Sequence, residues 1–275
     1  MFQIIIYANA RNEVKYRFSG PLVRAFFLSI IRDHNENIAQ SLHNPTGIAS
    51  YSIRPLSKIS KEHEKTYHND LDLFIQQGDR VRFSISFLSR ELARGLGLPL
   101  VDLLFKKREI KIGNGIFEIS SAKLKRLEFE KLNTNKYRFF VRFRTPTFFR
   151  RMGNPYHSLL PSPRDFFLSI AKIWNSFSEK KFSLEDLENM INTKIGITSV
   201  NIRSSKVINL SNNRSLKGFT GTCVYETNEK EMGLIVSKLL SIARFTNVGG
   251  SRTLGFGVID WKLLEETKSE SNTLE

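Results

Sequence analysis

One five-residue sequence, FFLSI, occurs twice in the chain, at Phe26–Ile30 and at Phe166–Ile170. Both copies lie in segments whose apolar residues recur at helical spacing, with Pro21 and Pro163 near the predicted helix starts. A single match of this kind can arise by chance in a chain with 22 phenylalanines. Its equivalent position in each half of the chain favours a tandem pair of similar domains.

The predicted elements support this duplication. The first half runs strand, helix, strand, strand, helix, strand, from FQIIIYA to GIFEISSAKLKRLEF, and the second half repeats that order from KYRFFVRFRTPTFF to GFGVIDWKLL. This is the order of the split βαβ, or ferredoxin-like, unit. We predict an α+β fold of tandem ferredoxin-like (RNA-recognition-motif-like) domains, each an antiparallel sheet with two helices. The domains are residues 1–131 and residues 132–264, and a disordered polar tail follows at residues 265–275.

The charge of the chain limits its class of partner. A formal net charge of +15 and a pI near 9.9 favour a polyanion, either a nucleic acid or an anionic membrane surface. No segment approaches the roughly 18 apolar residues of a membrane span. The apolar N-terminal run is short and has no preceding positive charge, unlike a signal peptide. We expect a soluble, cytoplasmic protein with no membrane partner.

The chain has one cysteine, Cys223, in the apolar run GTCVYE. A single cysteine excludes an internal disulfide and any zinc site that needs several thiolates. We expect Cys223 to be a small buried residue of the core.

A glycine cluster lies in FTNVGGSRTLGFGVID, residues 245–260. It lacks the Lys-Ser/Thr pair of a nucleotide P-loop, and it follows a predicted helix, whereas a dinucleotide fingerprint follows a strand. Two interpretations stay open. The loop lets backbone N–H groups approach a phosphate, with Ser251, Arg252 and Thr253 as further donors, or it is a turn with left-handed positions and no ligand.

Cations and aromatic residues alternate along the predicted strand KYRFFVRFR. Its alternation puts Tyr137, Phe139, Val141 and Phe143 on a core face, and Arg138, Phe140, Arg142 and Arg144 on the other face. A face of cations around an aromatic ring suits phosphate contact and base stacking. A solvated basic surface is the alternative.

Several of these stretches resemble one protein family. The stretch VGGSRTLGFGVI after the last helix is similar to the C-terminal glycine-rich signature of the CRISPR-associated endoribonucleases that process repeat RNA. These enzymes belong to the superfamily first called repeat-associated mysterious proteins. VRFRTPTFFRR, LPSPRDFFLSIAKIWN, FTGTCVYE and SLHNPTGIASYSIRPL resemble further stretches of that family. The resemblance spans nearly the whole chain.

The resemblance implies an activity. Members of the family cut the repeat RNA of a CRISPR transcript without a metal ion or other cofactor. The substrate's 2′-hydroxyl attacks phosphorus, which leaves 2′,3′-cyclic phosphate and 5′-hydroxyl ends. Such a reaction needs a base, an acid and a cation near the phosphorane. The resemblance implies CRISPR repeat RNA as the partner. Other subunits of a CRISPR effector complex and a second copy of the chain are further candidate partners.

His43, in SLHNP, matches the family's catalytic histidine and is the predicted general acid or base. From the residues alone, a partly buried turn histidine is the simpler interpretation. Many members carry a cation at the position of Ala49, so Arg54 or Lys58 is predicted to supply the missing charge. Ala49 also favours an alternative, a non-catalytic RNA-binding subunit of an effector complex. The predicted RNA-binding residues come from the strand and the loop: Arg138, Arg142, Arg144, Gly249, Gly250, Ser251, Arg252, Gly255 and Gly257.

Overall fold

The computed structural model describes residues 1–59, 71–129, 137–151, 153–205, 207–210 and 215–264. The N-terminal half contains, in chain order, β1 (Phe2–Ala10), β2 (Val14–Phe18), α1 (Gly20–His34), α2 (Glu36–His43), β3 (Tyr51–Lys58), β4 (Leu71–Ile75), β5 (Arg80–Phe87), α3 (Arg90–Lys107), β6 (Glu109–Ile112) and β7 (Gly115–Arg126). The predicted boundary between residues 131 and 132 and the predicted tail, 265–275, lie outside the described residues.

The C-terminal half contains, in chain order, β8 (Tyr137–Thr147), β9 (Phe149–Arg150), β10 (His157–Ser158), α4 (Pro163–Phe177), α5 (Leu184–Lys194), β11 (Gly196–Ser204), β12 (Ile208–Asn209), β13 (Ser215–Leu216), β14 (Phe219–Thr227), α6 (Lys230–Thr246) and β15 (Ile259–Leu263). A short 3₁₀ helix, Arg252–Leu254, lies between α6 and β15.

The two main sheets have the same strand order. The N-terminal sheet is β3-β5-β1-β7-β6 and the C-terminal sheet is β11-β14-β8-β15, with every pair antiparallel. The strands of each main sheet can be numbered in chain order, as β1, β3, β5 and β7 in the first half and β8, β11, β14 and β15 in the second. Both sheets then have the spatial order second, third, first, fourth. β6 forms a hairpin with β7 and extends one edge of the N-terminal sheet. The predicted tandem ferredoxin-like fold is confirmed.

The repeated FFLSI sequence has the same local structure in both halves. It lies in the first helix of each half, where Phe27 and Phe167 are fully buried. The hydroxyl of Ser29 donates to the carbonyl of Phe26, and the hydroxyl of Ser169 donates to that of Phe166, both at 2.8 Å. The matching bonds indicate that the two copies are equivalent positions of one repeated unit.

The chain forms more helices than the two per half that the sequence predicts. Helix α2 begins after Asn35, whose side chain accepts from the amide of Ile38 at 3.0 Å, and it buries Ala39 and Leu42. Helix α5 begins after Ser183 in the same way. Both helices are short and largely polar, so each has few apolar residues by which the sequence can indicate it.

The predicted core face of β8 is confirmed, because its four apolar residues are all buried, as is Cys223. Burial raises the pKa of the Cys223 thiol to about 11. Apolar residues from α4, α6 and β14 pack on the same face. The opposite face of the sheet is left to the arginines and Phe140.

The two halves meet where β3 lies against the end of α6. The side chain of Asn247 donates to the carbonyl of Ile53 at 2.8 Å. Arg54 donates to the carbonyls of Arg244 and Ile259 at 3.0 and 2.9 Å. The glycine-rich segment that follows α6 is thereby held beside α1 and β3 of the N-terminal half.

Candidate functional site

His43 is the last residue of α2 and is exposed. Its Nδ1 atom lies 3.1 Å from the side-chain oxygen of Asn44. When Nδ1 carries the proton, this contact fixes the tautomer and leaves Nε2 as a proton acceptor. The exposed ring can therefore reach a substrate, which a buried turn histidine could not.

Arg24 of α1 joins His43 to β3. Its Nη2 atom donates to the carbonyl oxygen of His43 at 3.0 Å, and its Nε atom donates to the hydroxyl of Tyr51 at 3.0 Å. Two contacts through different nitrogens fix both the position and the plane of the guanidinium. A positive charge is thus held beside the end of the helix that carries His43.

Tyr51 connects this arginine to the glycine-rich segment. Its side chain is buried, and it hydrogen-bonds with the side chain of Thr253 as well as with Arg24. Burial raises the pKa of Tyr51, and the Arg24 charge and the two hydrogen bonds oppose that rise only in part. Tyr51 is therefore a neutral hydrogen-bonding group at physiological pH.

The predicted glycine-rich loop is the segment from Asn247 to Val258. Gly249, Gly255 and Gly257 have φ between 67° and 82°, in the left-handed region that glycine adopts without strain. At Gly255 a side chain would also collide with Pro55 of β3. The glycines therefore serve both the turn of the loop and its close contact with the N-terminal half.

Arg252 is buried, and its guanidinium is bound by the protein itself. Nη1 donates to the carbonyl of Thr246 at 2.9 Å and Nη2 donates to that of Ala49 at 3.2 Å. Burial lowers the pKa of Arg252 to about 10. Ala49 stands where the family resemblance expects a cation. Its carbonyl oxygen binds the Arg252 guanidinium and so helps to hold the loop in place.

The amides of the loop divide into two groups. Most donate hydrogen bonds that hold the loop in shape, to main-chain carbonyls or, for Val258, to the hydroxyl of Thr145: those of Asn247, Val248, Gly250, Leu254, Gly255, Phe256, Gly257 and Val258. Four other amides donate no backbone hydrogen bond within the described part of the chain, those of Gly249, Ser251, Arg252 and Thr253. Consecutive N–H groups of this kind are suited to bind an anion.

The other two predicted cations of the site are engaged elsewhere. Arg54 contacts Asp260 at 3.3 Å besides the two carbonyls of the C-terminal half. Lys58 forms a 2.6 Å ion pair with Asp79. It lies seven residues along β3 from Tyr51, a separation of roughly 23 Å in an extended strand. Arg24, a cation that the sequence did not single out, is instead hydrogen-bonded to the carbonyl of His43.

The three predicted RNA-binding arginines of β8 differ in exposure. Arg138 forms a 3.2 Å ion pair with Glu226 at the surface, and Arg142 is partly exposed. Arg144 is buried, with Nη1 3.2 Å from Asp260. Burial alone would raise the pKa of Asp260, but the guanidiniums of Arg54 and Arg144 hold it below its usual range.

A cavity of about 690 Å³ lies between the two halves, beside this ion-pair cluster. Its charged lining is mostly basic: the cations are Arg54, Arg82, Lys125, Arg126, Arg144 and Arg244, and the carboxylates are Glu128 and Asp260. Burial lowers the pKa of Lys125, and the charges of Lys123, Arg244, Arg54 and Arg82 lower it further. The excess of positive charge favours an anion in this space.

Residues 141–259 match the family model described as CRISPR-associated endoribonuclease Cas6. Over these residues, 119 of the chain's 275, the chain is similar to the Cas6 family. The match includes most of β8, all of β14 and α6, and the whole glycine-rich loop, so the resemblance inferred from the sequence is confirmed. No curated protein sequence matches the chain.

Solved Cas6 structures share the fold over nearly the full length. A product complex of a Thermus thermophilus Cas6 has a TM-score of 0.70 at 16% identity, over 95% of this chain and 99% of that one. A substrate mimic complex of another Cas6 has a TM-score of 0.65 at 19% identity, over 95% and 100%. A Cas6-related protein from Pyrococcus furiosus has a TM-score of 0.58 at 15% identity, over 97% and 99%.

The described residues contain neither a metal-type cluster nor a membrane-spanning helix. Among them, no three histidine, cysteine, aspartate or glutamate side chains are grouped as a metal site requires. No helix in the described ranges is long and apolar enough to cross a membrane.

Sequence reasoning missed Arg24 and Tyr51, whereas it had named Thr253 as a donor of the loop. One signal was present, because Arg24 is the only charged residue in the apolar segment 19–31. Tyr51 carries no comparable signal, since an aromatic residue at the start of a strand is most often part of the core.

Proposed function

We propose that this chain is an endoribonuclease that cuts CRISPR precursor transcripts within the repeat, without a metal ion. The observation that carries the proposal is an exposed histidine, His43, whose helix end is tied through Arg24 and Tyr51 to the glycine-rich loop of a Cas6 domain. The histidine supplies acid–base chemistry, the arginine supplies positive charge, and the loop supplies amides for a phosphate.

The proposed reaction is an internal transesterification. The 2′-oxygen of the nucleotide before the cut forms a bond to phosphorus, and the bond from phosphorus to the leaving 5′-oxygen breaks. The proton of the 2′-hydroxyl goes to a base, and the 5′-oxygen receives a proton from an acid. His43 takes one of these two roles, because the ordinary pKa of histidine lies near neutrality.

Arg24 takes the role that the sequence assigned to Arg54 or Lys58. The phosphorane carries more negative charge than the phosphodiester, so a fixed cation stabilises the transition state more than the ground state. Two hydrogen bonds hold Arg24 in place before RNA binds. The guanidinium therefore does not have to move when the transition state forms, so no reorganisation energy is added to the barrier.

The RNA backbone would follow the glycine-rich loop and the basic cavity. Ser251 and Thr253 carry amides that have no backbone acceptor in the described part of the chain. Gly249 and Gly250 pack against Phe148, where a side chain at either position would collide. Arg252 would contribute through its amide, since its guanidinium is bound to Ala49 and Thr246. Arg138 and Arg142 and the cations of the cavity would contact further phosphates, so affinity should fall steeply with salt.

The test is cleavage of a labelled CRISPR repeat RNA in EDTA. We expect the wild type to cut once and to leave a 2′,3′-cyclic phosphate. An RNA with a 2′-deoxy nucleotide just before the cut should stay whole. His43→Ala should be slower by at least about tenfold, because an acid–base group typically contributes about 10²–10⁴-fold. His34→Ala is the matched control, because His34 is an exposed histidine at the end of α1.

One result would favour the alternative function. If the wild type binds repeat RNA tightly and leaves it whole in EDTA and in magnesium, the chain is a non-catalytic RNA-binding subunit of an effector complex. The observation that favours this alternative is Ala49, which stands where many members of the family carry a cation. Cleavage by His43→Ala at the wild-type rate would instead remove the histidine from the mechanism.

A further inference from the structure

His157 and the glycine-rich loop contact the same phenylalanine. His157 belongs to β10, and its ring stacks on the ring of Phe148, with centroids 4.4 Å apart and planes inclined by 22°. Gly250 packs against that ring, and its amide donates to the carbonyl of Phe148 at 3.0 Å. An imidazole ring is therefore held close to the loop whose amides are suited to bind an anion.

The ring of His157 has one covered face. Phe148 is fully buried, whereas His157 is exposed. Among the described residues, Phe148 is the one aromatic side chain that stacks on His157. Because one face of a flat ring is covered and the residue is still exposed, the opposite face is open to a ligand.

The protein holds this ring in place before any ligand binds. His157 pairs with Arg150 of β9 in an antiparallel ladder. Arg151, the next residue after β9, donates to Asp165 of α4 at 2.7 and 3.1 Å. The strand pair that carries His157 is thus attached to the first helix of the C-terminal half. A side chain that is already ordered loses little conformational entropy when a ligand stacks on it.

His157 offers a ring rather than a charge. Burial lowers the pKa of His157, and the positive charge of Arg150 lowers it further. The ordinary pKa of histidine is about 6.5, so the ring is neutral at pH 7. A neutral imidazole does not bind a phosphate as a cation does, but it is one of the side chains on which unpaired RNA bases stack.

We propose that His157 is the stacking platform for one unpaired base of the RNA. The phosphate of a neighbouring nucleotide lies at the amides of the glycine-rich loop. The base lies on the open face of His157 and extends the stack of Phe148 and His157 by one ring. This inference rests on the proposed function, because it needs RNA along the loop.

The platform selects RNA structure rather than base sequence. Every base has a π-face, so stacking on an aromatic ring tolerates all four bases. A base inside a duplex is stacked on its neighbours and is not free to lie on a side chain. The preferred substrate therefore has an unpaired nucleotide beside the phosphate that the loop binds.

The first test is the affinity for repeat RNA made uncleavable by a 2′-deoxy nucleotide before the cut. His157→Phe keeps a flat ring and should bind within about threefold of the wild type. His157→Leu is the matched variant, because its side chain still covers Phe148 but cannot stack. It should weaken binding about tenfold, within the usual loss for one base–aromatic stack. If His157→Leu binds like the wild type, His157 only covers Phe148 and the proposal is wrong.

A scan of the same RNA with single abasic nucleotides locates the base. With the wild type, removal of one base should weaken binding about tenfold. With His157→Leu, removal of that base should have no further effect, because two groups that contact each other are not independent. If every abasic RNA loses the same affinity for both proteins, no base lies on His157 and the proposal is overturned.

Salt dependence separates stacking from a phosphate contact. Loss of a cation that contacts phosphate reduces the slope of log affinity against log salt by about one. His157→Leu should instead lower the affinity by the same factor at every salt concentration, since a neutral ring releases no counterion. A reduced slope would mean that His157 binds phosphate as a cation and would contradict the platform.

These measurements keep the platform and the proposed reaction apart, because they use RNA that cannot be cut. A wild type that shows the coupling between His157 and one base, but leaves natural repeat RNA whole, retains the platform and loses the endoribonuclease. A wild type that cuts repeat RNA, but shows no such coupling at any nucleotide, retains the endoribonuclease and loses the platform.

Discussion

The guanidinium of Arg24 donates a 3.0 Å hydrogen bond to the carbonyl oxygen of His43, so a residue of α1 fixes the end of α2. The bond uses Nη2, and Nε of the same group is held at 3.0 Å by the hydroxyl of Tyr51. A cation is therefore placed beside the proposed acid–base residue by groups that are already in position.

We expect Arg24→Ala to slow cleavage of repeat RNA about 10²–10³-fold, the usual loss when one preorganised transition-state donor is removed. Arg24→Lys should recover only part of the rate, because an ammonium group cannot reproduce the two-nitrogen geometry. Single-turnover cleavage under saturating protein measures the chemical step. Affinity for an uncleavable 2′-deoxy RNA should change only a few-fold, since one phosphate contact at most is lost.

Arg32→Ala provides the matched control for that experiment, because Arg32 is an exposed arginine on the same helix. Its cleavage rate should equal that of the wild type. If Arg24→Ala and Arg32→Ala cut at the same rate, Arg24 is a structural residue and has no part in the reaction.

Tyr51→Phe removes one hydroxyl from the buried contact with Arg24 and Thr253. We expect the free energy of unfolding to fall by about 1–2 kcal/mol, because the Arg24 guanidinium loses a partner. The cleavage rate should fall while the affinity for uncleavable RNA stays constant, since the change loosens Arg24 and leaves the loop amides unchanged. Urea unfolding and single-turnover cleavage measure the two effects.

Tyr156→Phe removes the same hydroxyl from a side chain that is 79% exposed. Its unfolding free energy should stay within about 0.5 kcal/mol of the wild type. A Tyr51→Phe variant that cuts at the wild-type rate would show that Arg24 is positioned without the tyrosine.

The strands and the duplication could be predicted from the sequence because their signals are local. Alternation along 137–144 predicted the buried face of β8, and the repeated FFLSI predicted two equivalent helices. The glycine-rich loop was recognisable as a loop because a helix precedes it and a strand follows it. What the loop contacts was not recognisable, since Pro55 and Ala49 are about 200 residues away in sequence.

The partners of each arginine could not be predicted for the same reason. Arg54, Arg144 and Asp260 come from three distant segments, and only the docking of the two halves brings them together. A basic residue in a strand looks the same in the sequence whether it contacts RNA or a carboxylate. The sequence therefore predicted which residues are basic and which strand faces the interior, but not which cations stay available for a ligand.

Gly255→Ala tests whether the glycine-rich loop is shaped by its contact with β3. Gly255 has φ of 82°, and a side chain there would collide with Pro55. We expect a loss of about 1–3 kcal/mol in unfolding free energy, because a left-handed non-glycine residue and a clash add together. Gly95→Ala in α3 has open space around it and should instead stabilise the protein by about 0.5–1 kcal/mol. If both substitutions change the free energy of unfolding in the same direction, this account of the loop is wrong.

Asp260→Asn tests the ion-pair cluster that joins the two halves. The carboxylate lies 3.3 Å from Arg54 and 3.2 Å from Arg144, but its side chain is half exposed. Solvent weakens a pair of this kind, so at pH 7 we expect a loss of about 1–2 kcal/mol, below the 3–5 kcal/mol of a fully buried broken pair. Glu226→Gln breaks the surface pair with Arg138 and should cost at most about 0.5 kcal/mol.

The pH dependence of the Asp260→Asn effect follows from the pKa of Asp260, which the two arginines hold below its usual range. A carboxyl whose folded-state pKa is lowered stabilises the protein fully above its unfolded-state pKa, about 3.9. That contribution disappears as the pH falls through the lower, folded-state value. The difference in unfolding free energy between wild type and Asp260→Asn should therefore be constant from pH 8 to about 5.5 and shrink below about 4. Urea unfolding of both proteins across this range measures it, and a difference that grows on acidification would mean that the arginines do not stabilise the Asp260 carboxylate.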